Sequence, residues 1–558
     1  MIEQLKCSTP DFAEENVAKL IKLFPEVEGE KGTVDLDKLR QVLSSKVIEG
    51  NVERYEFTWP GKRAAKAAAS AATTKTLRPC REESVNFDTT ENLYIEGDNL
   101  EVLKLLQTSY AGKVKMIYID PPYNTGHDFV YRDKFSLTQK ELEDEAGSFD
   151  EDGNRFEVND SAEARYHSNW CSMMYPRLKL ARNLLRDDGV LFVSIDDNEV
   201  VNARKLCDEV FGEAQFSAII TVVVKPEGRR YGPVAKTHEF ILVYCRDSEN
   251  DSIREIVSND AKFDFTDGKG GFNLQGLRNR NVQAFNSLNR PNLRYPFYVN
   301  ATNDNASGFY EVSTKFHEGW QMVEAKIVEG MESVWRWGKD TAEQNKDDLV
   351  ACRRSDGCFR IFQKTRSLAQ SPKSVWVDKS IISNKGTHEV QELLGKGVFD
   401  FPKPVELLRR LVEMGSSAES LVLDFFSGSA ASAHAVMQLN AEDGGNRKFI
   451  MVQLPEPCAE DSEAAKVGYQ NICEIGKERI RRAGKKIADE NATTAPNLDI
   501  GFRVLKLDSS SLNDTSATVS ETDQKFANFD RIKEGRSSED LLFQMLLETH
   551  IPLSDKIE

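Results

Sequence analysis

Short apolar runs alternate with stretches of helical spacing over much of the chain. Near residues 92–106 an apolar run, a Gly97-Asp98 turn and a helical pattern follow one another, and the apolar run Val114–Asp120 comes next. The same alternation returns at 167–196 and, after a long polar interval, at 402–456. Strands that alternate with helices form mostly parallel sheets covered on both faces. The pattern therefore predicts an α/β fold with a doubly wound, mostly parallel sheet.

Changes in residue composition divide the chain into segments. The two α/β stretches are the halves of one core, and the polar, Gly- and Asn-rich interval between them is predicted to be an inserted domain. The predicted segments are a helical N-terminal region (1–60), an Ala-, Lys- and Arg-rich linker or basic arm (61–90), the first half of the core (91–225), the insert (226–398), the second half of the core (399–457) and a helical C-terminal region (458–558). Residues 141–163 are predicted to form a long acidic loop.

The composition fits a protein of several domains outside a membrane. The chain has 558 residues, of which 40% are hydrophobic and 29% charged. No run approaches the roughly 20 apolar residues of a membrane span. The first residues lack the apolar centre of a signal peptide, so we expect a cytoplasmic location. The nine cysteines form no CxxC pair, which favours free thiols over a zinc site.

The formal net charge of −17 argues against a nucleic-acid partner when it is taken alone. A binding groove needs only local positive charge, however, and Lys269–Asn300 contains five cationic residues and no Asp or Glu. Asparagine, glutamine and aromatic residues lie between those cations, a mixture that suits contacts with phosphates and base edges. The alternative is a solvated loop region. The candidate contact residues are Arg278, Arg280, Arg290 and Arg294.

One candidate site lies in the segment "LVLDFFSGSAASAHAV". A strand ends at Asp424, a turn of small residues carries Gly428, and a helical pattern begins. This order is typical of a nucleotide-cofactor site, where small residues let the ligand approach the backbone. No lysine follows the turn, so the loop suits a ligand with an amino-acid group better than a phosphate. Glu456, one strand later, could accept hydrogen bonds from ribose hydroxyls. The alternative is an ordinary turn of an α/β sheet.

A second candidate site is the sequence Asp120-Pro121-Pro122-Tyr123, which closes an apolar strand. Prolines donate no backbone hydrogen bond, so the strand has to end there. A carboxylate and a fixed proline carbonyl can accept two hydrogen bonds from an amino group, while Tyr123 offers a flat face for stacking. The exocyclic amine of a nucleobase fits this description if the base is first swung out of its duplex. The alternative is a strand-end turn with a proline kink.

Together the two motifs resemble those of amino-directed DNA methyltransferases that use S-adenosylmethionine. Their catalytic motif is Asp/Asn/Ser-Pro-Pro followed by an aromatic residue, and their cofactor motif resembles Phe-x-Gly-x-Gly, whose second glycine is Ala430 here. The catalytic motif precedes the cofactor motif, an order similar to the beta class. The phrases "FTWPGKRAA", "ENLYIEGDNLEVLKLL", "LLRDDGVLFVSIDDNE" and "FIMVQLPEP" resemble the modification (Mod) subunit of type III restriction–modification systems.

The resemblance implies a Rossmann-like methyltransferase sheet, with 226–398 as the target-recognition domain. It implies methyl transfer to N6 of a flipped adenine in double-stranded DNA, with no metal. The implied catalytic residues are Asp120, Pro121, Pro122 and Tyr123. The implied residues for binding S-adenosylmethionine are Asp98, Lys403, Pro404, Asp424, Phe426, Ser427, Gly428 and Glu456. We expect cofactor binding to survive the alanine at position 430.

The resemblance also implies partners. Members of the family act as dimers and associate with a separate restriction (Res) subunit, a helicase-nuclease that cuts unmodified DNA. The family usually continues beyond the equivalent of residues 537–553, which implies a shortened C-terminal segment here. Three alternatives stay open: an orphan adenine methyltransferase without a nuclease partner, a DNA-binding specificity subunit with an inactive site, and methylation of RNA or of a protein glutamine.

Overall fold

The chain forms two compact units, one made of Met1–Arg254 with Lys373–Glu558 and the other of Glu255–Pro372. The computed structural model describes residues 12–29, 33–43, 56–125, 129–131, 156–158, 166–228, 233–257, 261–304, 308–513 and 532–557. Most of the predicted acidic loop at 141–163 lies outside these residues.

The secondary structure of the described residues is mixed. The strands are β1 (Lys75–Val85), β2 (Leu93–Glu96), β3 (Val114–Ile119), β4 (Phe129–Tyr131), β5 (Phe156–Val158), β6 (Leu185–Ile195), β7 (Phe216–Val223), β8 (His238–Cys245), β9 (Ile256–Val257), β10 (Phe265–Asp267), β11 (Gly270–Gly276), β12 (Phe297–Asp304), β13 (Phe309–Ser313), β14 (Gln321–Val323), β15 (Ile327–Val328), β16 (Met331–Glu332), β17 (Leu349–Arg353), β18 (Phe359–Thr365), β19 (Ala369–Gln370), β20 (Val375–Trp376), β21 (Leu421–Asp424), β22 (Lys448–Gln453) and β23 (Phe502–Ser509). The helices are α1 (Phe12–Leu23), α2 (Leu36–Leu43), α3 (Lys62–Ser70), α4 (Asn99–Tyr110), α5 (Tyr166–Leu184), α6 (Val200–Phe211), α7 (Lys339–Gln344), α8 (Ser383–Leu394), α9 (Val405–Gly415), α10 (Ala431–Asp443), α11 (Glu463–Lys466), α12 (Ile472–Glu490) and α13 (Ser538–Glu548).

A ten-stranded sheet is the centre of the larger unit. Its order is β1-β23-β2-β22-β21-β3-β6-β8-β7-β20. The strands from β23 to β6 are parallel, and β1, β8 and β7 add antiparallel pairs at the two sides. Every residue of β3 is buried, as expected for a strand covered by helices on both faces. The predicted doubly wound, mostly parallel sheet is confirmed.

The sheet contains a topological switch point between β3 and β21. After β21 the chain continues through α10 to β22 on one side, whereas after β3 it continues to β6 on the other side. Connections that leave two neighbouring strands in opposite directions open a crevice at the carboxyl ends of those strands. Ligands of open α/β sheets bind in such crevices. The fold therefore marks the loops after β3 and β21 as the place to look for a site.

The segment 61–90 is not the exposed linker or basic arm that its composition indicated. It contains α3, which packs against α5 through a face of buried alanines, and β1, which pairs with β23. Lys62 is buried as well, and its ammonium lies 2.9 Å from a carboxylate oxygen of Glu209. Small alanines at helical spacing let two helices approach closely, so this segment is buried although it has few large apolar residues.

The smaller unit, Glu255–Pro372, is built on a seven-stranded sheet of order β10-β11-β18-β17-β13-β12-β14, in which all pairs are antiparallel. Its core contains Phe297, Trp335 and Ile361. The unit is shorter than the predicted insert 226–398, because β8 and α8 belong to the larger unit. The polar, Gly- and Asn-rich sequence of this unit reflects short strands that are joined by polar turns.

Two further features of the structure concern membrane-spanning helices and cysteines. No helix in the described part of the chain is long and apolar enough to cross a membrane. The cysteines of that part are free thiols.

Candidate active site

The switch point brings the two sequence motifs together. Asp120 follows β3 directly, and Asp424 is the last residue of β21. The two strands pair in parallel, with Leu423 opposite Ile117. Burial raises the pKa of Asp424, and the nearby negative charge of Asp120 adds to the increase. The Asp-Pro-Pro-Tyr loop and the small-residue loop therefore lie side by side at one edge of the sheet.

The Asp-Pro-Pro-Tyr loop is held from behind by α5 and by Glu199. The indole Nε1 of Trp170, a fully buried residue, donates a hydrogen bond of 2.8 Å to the carbonyl of Pro122. Asn124 has a left-handed backbone with φ of +59°, and its side-chain amide donates to Glu199 at 2.5 Å. The hydroxyl of Tyr166 donates to the Asn124 carbonyl. These bonds fix the loop from one side and leave its other side to the crevice.

Four side chains form a charged cluster at the mouth of this loop. The ammonium of Lys403 lies 3.2 Å from Oδ1 of Asp120 and 3.0 Å from Oε2 of Glu239. It also donates to the hydroxyl of Tyr123 at 2.5 Å, and that hydroxyl donates to Oε2 of Glu239 at 3.0 Å. One ammonium thus bridges two carboxylates that arrive from different strands.

The pKa values within the cluster follow from burial and from these neighbours. Burial raises the pKa of Asp120, Glu239 raises it further, and Lys403 offsets only part of the increase. Burial also acts to raise the pKa of Glu239, but Lys403, Tyr123 and Lys236 together outweigh burial and the pKa of Glu239 is lowered. Burial acts to lower the pKa of Lys403, and the two carboxylates reverse this and raise it. The ammonium therefore stays charged, and Asp120 is the more easily protonated of the two acids.

The small-residue loop after β21 is tied by its own backbone hydrogen bonds. The amide of Ser427 donates to the carbonyl of Val452, and the amide of Gly428 donates at 2.7 Å to the side chain of Gln453 on β22. The amide of Ala430 donates to the carbonyl of Ser427 at 2.7 Å. With these donors engaged, the loop is a poor cradle for a phosphate, as its sequence predicted.

Two residues of this loop have left-handed backbones. Gly428 has φ of +50°, and a Cβ atom there would lie 3.3 Å from the ring of Phe399. Ala430, which stands where the family has a second glycine, has φ of +59° directly before α10. A left-handed L-residue costs about 1–2 kcal/mol. The chain therefore keeps the loop shape that a glycine would allow and accepts the strain.

Asp424 stabilises this loop from within. Its carboxylate accepts hydrogen bonds from the amide of Phe426 at 3.1 Å and from the hydroxyl of Ser432 at 2.5 Å. The side chain is buried, and no cation pairs with it among the interactions of the described residues, so burial raises its pKa to about 7. Asp424 shapes the turn, while Phe426 is itself buried at 8% exposure.

Asp98 lies on the first βα turn, one strand beyond β22. One of its oxygens caps α4 by accepting from the amide of Glu101 at 3.1 Å, and the other lies 3.3 Å from the guanidinium of the fully buried Arg177. The neighbouring Asn99 donates at 2.7 Å to the carbonyl of Phe425. The first βα turn and the cofactor-type loop are therefore linked directly.

Lys403 and Glu456 occupy different parts of the edge. Glu456 follows β22 and is half-buried, and its carbonyl accepts from the amide of Ile472. Pro404 is buried at the start of α9. The ammonium of Lys403 contacts the Asp-Pro-Pro-Tyr loop. Its assignment from the family to cofactor binding stays a prediction.

The four candidate arginines of the smaller unit have different surroundings. Arg280 and Arg290 are exposed. Arg278 is half-buried and donates to the carbonyl of Asn279. Arg294 donates to two backbone carbonyls and pairs with two glutamates at 3.3 Å each, which makes it a structural residue of the unit. Only Arg280 and Arg290 present mainly solvent-facing side chains.

Sequence reasoning missed Glu239, Glu199 and Trp170. The detectable signal for Glu239 was an acid at the start of an otherwise apolar strand. Strand β8 runs antiparallel to β6, so the first residues of β8 lie at the edge of the sheet where β3 and β6 end. Only this strand direction shows that Glu239 belongs to the site. Among the described residues, no group of three or more His, Cys, Asp or Glu side chains could hold a metal ion.

Comparison with known proteins gives the family. A family described as DNA methylase matches residues 114–483, a range that includes both loops of the site. The Mod subunit of the type III restriction–modification enzyme EcoPI, from Escherichia phage P1, is 35% identical over 499 residues, which are 86% of this chain and 76% of that protein. The chain belongs to the type III Mod subunit family.

Another Mod subunit and a more distant methyltransferase are also similar to the chain. The StyLTI Mod subunit from Salmonella typhimurium strain LT2 is 34% identical over 496 residues, which are 85% of this chain and 69% of that protein. The type II methyltransferase M.KpnI from Klebsiella pneumoniae is 29% identical over 402 residues, 72% of this chain and 89% of that protein. The resemblance read from the two motifs of this Mod-family chain is confirmed.

Proposed function

We propose that this Mod-family chain transfers a methyl group from S-adenosylmethionine to N6 of a flipped adenine in double-stranded DNA. The observation that carries the proposal is the pairing of β3 with β21, because it sets an amine-accepting loop beside a cofactor-type loop at the switch point. A methyl donor and an amino acceptor have to meet within van der Waals reach for in-line transfer. Two such loops on opposite sides of the sheet would have excluded the reaction.

Asp120 is the proposed acceptor for the adenine amine. The lone pair of that amine is spread into the ring, so the nitrogen is a poor nucleophile. Hydrogen bonds to the Asp120 carboxylate and the Pro121 carbonyl draw the nitrogen toward tetrahedral geometry, and they strengthen as positive charge develops on it. Pro122 fixes the loop through Trp170, and Tyr123 supplies the stacking face. The product amine loses its extra proton to Asp120 or to water.

The loop after β21 is the proposed cofactor site. When bound, S-adenosylmethionine supplies a methyl group on a sulfonium that is its own leaving group. Ser427 and Gly428 have small side chains that let a ligand approach the backbone, and the ring of Phe399 lies so close to Gly428 that a Cβ there would come within 3.3 Å of it. Glu456 is the proposed partner of the ribose hydroxyls, and Asp424 and Phe426 shape the turn. Asp98 and Pro404 bound the site from the neighbouring elements.

The remaining parts of the proposal concern DNA and partners. The unit Glu255–Pro372 is the proposed target-recognition domain, with Arg278, Arg280 and Arg290 as contacts to DNA; Arg294, also a candidate from sequence, supports the fold of that unit. The chain acts as a homodimer in the cytoplasm and associates with a Res subunit. The alternative that the sequence leaves open is an orphan methyltransferase without that subunit.

The proposal is tested by incubating the chain with methyl-labelled S-adenosylmethionine and genomic DNA that carries no N6-methyladenine. We expect label in adenine of duplex DNA, at one sequence motif that methylation-aware sequencing identifies. Asp120→Ala should abolish the label while cofactor binding, measured by calorimetry, is kept. Label only in RNA or protein would exclude the DNA proposal, and full activity of Asp120→Ala would exclude the catalytic assignment. No transfer from wild type would favour a specificity subunit.

A further inference from the structure

The charged cluster at the Asp-Pro-Pro-Tyr loop contains one more acid than the family motif requires. Asp120 and Glu239 each have side chains 26% exposed, and Lys403 between them is 14% exposed. With Lys403 protonated and both acids ionised, the three groups sum to one negative charge. The following inference rests on the proposed function, because it concerns how Asp120 receives the target amine.

Lys403 gives the two oxygens of the Asp120 carboxylate different surroundings. Oδ1 is shielded from solvent and faces the ammonium at 3.2 Å, without the geometry of a hydrogen bond. The exposure of the side chain therefore falls on its other atoms, of which Oδ2 is the polar one. Lys403 therefore lies against Oδ1, and Oδ2 is the oxygen that we assign to the target amine.

Glu239 holds Lys403 and Tyr123 at the same time. A single oxygen, Oε2, accepts from the ammonium at 3.0 Å and from the Tyr123 hydroxyl at 3.0 Å. We propose that Glu239 is a positioning residue for methyl transfer, which anchors Lys403 and Tyr123 and offsets the charge of Lys403 so that Asp120 faces the target amine as an effective anion. Glu239 itself touches neither the base nor the cofactor in this proposal.

The electrostatic reason is a balance among three charges. Without Glu239, Lys403 would pair with Asp120 alone, and the local sum of charges at the amine site would be zero instead of −1. The developing positive charge on the amine would then lose most of its stabilisation. Without Lys403, two neighbouring carboxylates would face each other, and one of them would take up a proton. Near neutral pH the reaction therefore needs all three groups together.

The cluster also determines how the rate depends on pH. Removing the negative charge of Glu239 lowers the pKa of Asp120, whereas removing the positive charge of Lys403 raises it, since these are the opposite effects that the two neighbours exert. Because only ionised Asp120 accepts from the amine, the acidic limb of the rate profile follows its pKa. The titratable or charged groups that act on Asp120 are Tyr118 on β3, Tyr123 in the loop, Glu239 on β8, Lys403 before α9 and Asp424 at the end of β21.

The test compares Glu239→Gln, Glu239→Asp and Lys403→Met with wild type in steady-state transfer of labelled methyl groups to adenine-unmethylated genomic DNA between pH 5.5 and 8.5. We expect Glu239→Gln to lower kcat by about 10- to 100-fold with KM for S-adenosylmethionine within about twofold. The acidic limb of the pH–rate profile of Glu239→Gln moves to lower pH. Glu239→Asp restores most of the rate. Lys403→Met moves the acidic limb to higher pH, so its rate recovers as the pH is raised.

Glu209→Gln is the matched control. Glu209 is also about one quarter exposed and pairs with two lysines, at 2.9 and 3.2 Å, but it lies on α6, away from the Asp-Pro-Pro-Tyr loop. Its loss should change stability without moving the pH profile. A kcat of Glu239→Gln within twofold of wild type would overturn the proposal. Acidic limbs of Glu239→Gln and Lys403→Met that stay fixed or move in the same direction would overturn it as well.

Thermal unfolding gives a readout that needs no methyl transfer. Lys403→Met leaves two carboxylates facing each other, so the double variant Glu239→Gln/Lys403→Met should have a higher Tm than Lys403→Met alone. If wild type methylates no DNA, the proposed function fails while this comparison still decides whether the three groups are coupled. A double variant whose Tm is no higher than that of Lys403→Met would contradict the coupling.

Discussion

Replacing Asp424 by asparagine should stabilise the chain more at alkaline than at acidic pH. The carboxylate of Asp424 is buried, it accepts from Phe426 and Ser432, and its pKa is raised to about 7. Between its two pKa values, a carboxyl group whose pKa is raised in the folded state is protonated in the folded chain and ionised in the unfolded chain. Stability therefore falls as the pH rises from about 3.9, the ordinary Asp value, to about 7, and stays level above that.

The size of the effect follows from the difference between the two pKa values. Since one pKa unit corresponds to about 1.4 kcal/mol, the whole cost of ionising Asp424 is about 4 kcal/mol at most. About 2 kcal/mol of it arises between pH 5.5 and pH 7. Asparagine keeps the acceptor for the Phe426 amide, and the Ser432 hydroxyl can reverse its bond to accept from the new amide. Any loss of stability from these hydrogen-bond changes should be the same at every pH.

The assay is thermal unfolding of wild type and Asp424→Asn at pH 5.5 and 8.5, at one ionic strength and without cofactor. The Tm difference in favour of the variant should be larger at pH 8.5 by roughly 2 °C. Asp508→Asn is the control: burial acts to raise the pKa of Asp508, but Arg536 and other hydrogen bonds outweigh it and lower the pKa to about 2, so the effect of this substitution should be the same at both pH values. An equal Tm difference for Asp424→Asn at both pH values would refute the reasoning.

Three further predictions address the loops and the smaller unit. Trp170→Phe removes the hydrogen bond to the Pro122 carbonyl, so kcat should fall about tenfold with cofactor affinity unchanged by calorimetry; an unchanged kcat would show that the indole does not position the loop. Ala430→Gly should leave the cofactor Kd within about threefold and raise stability by about 0–1 kcal/mol, because relief of the left-handed strain exceeds the entropic cost of glycine; a clear fall in Tm would contradict this. Arg290→Ala should weaken DNA binding several-fold at low salt, less at high salt, and leave Tm unchanged, whereas Arg294→Ala should lower stability by about 1–3 kcal/mol in chemical unfolding; the reverse pattern would exchange their roles.

The parts of the fold that sequence predicted well are those whose signal is local. The strand before Asp120 and the strand–turn–helix at Asp424 each carry their apolar run and their breaker within a few residues. The order of β3 and β21 in the sheet has no such local signal, and it is known only from the structure. The αL geometry at Ala430 was not predicted, although it is a conformation that a glycine at this position of the family motif would adopt without strain.

The parts that sequence missed depend on partners far along the chain. Strand β1 has few large apolar residues and is recognisable only with β23, more than four hundred residues later, beside it. Glu239 looked like an ordinary strand residue because its meaning depends on the direction of β8. The family resemblance assigned Lys403 to the cofactor site but gave no sign that its long side chain also reaches Asp120. No pattern in the local sequence specifies such a reach.

The place of β23 in the large sheet has a consequence for synthesis of the chain on the ribosome. Strand β1 pairs only with β23 in the described part of the sheet, and β23 also covers one side of β2. While the nascent polypeptide grows, these early strands therefore keep open edges until residues 502–509 have left the exit tunnel. The catalytic sheet can close only after these residues have emerged, and exposed edges of this kind attract other chains. A ribosome that stalls late should thus release an aggregation-prone product, not a partly active enzyme.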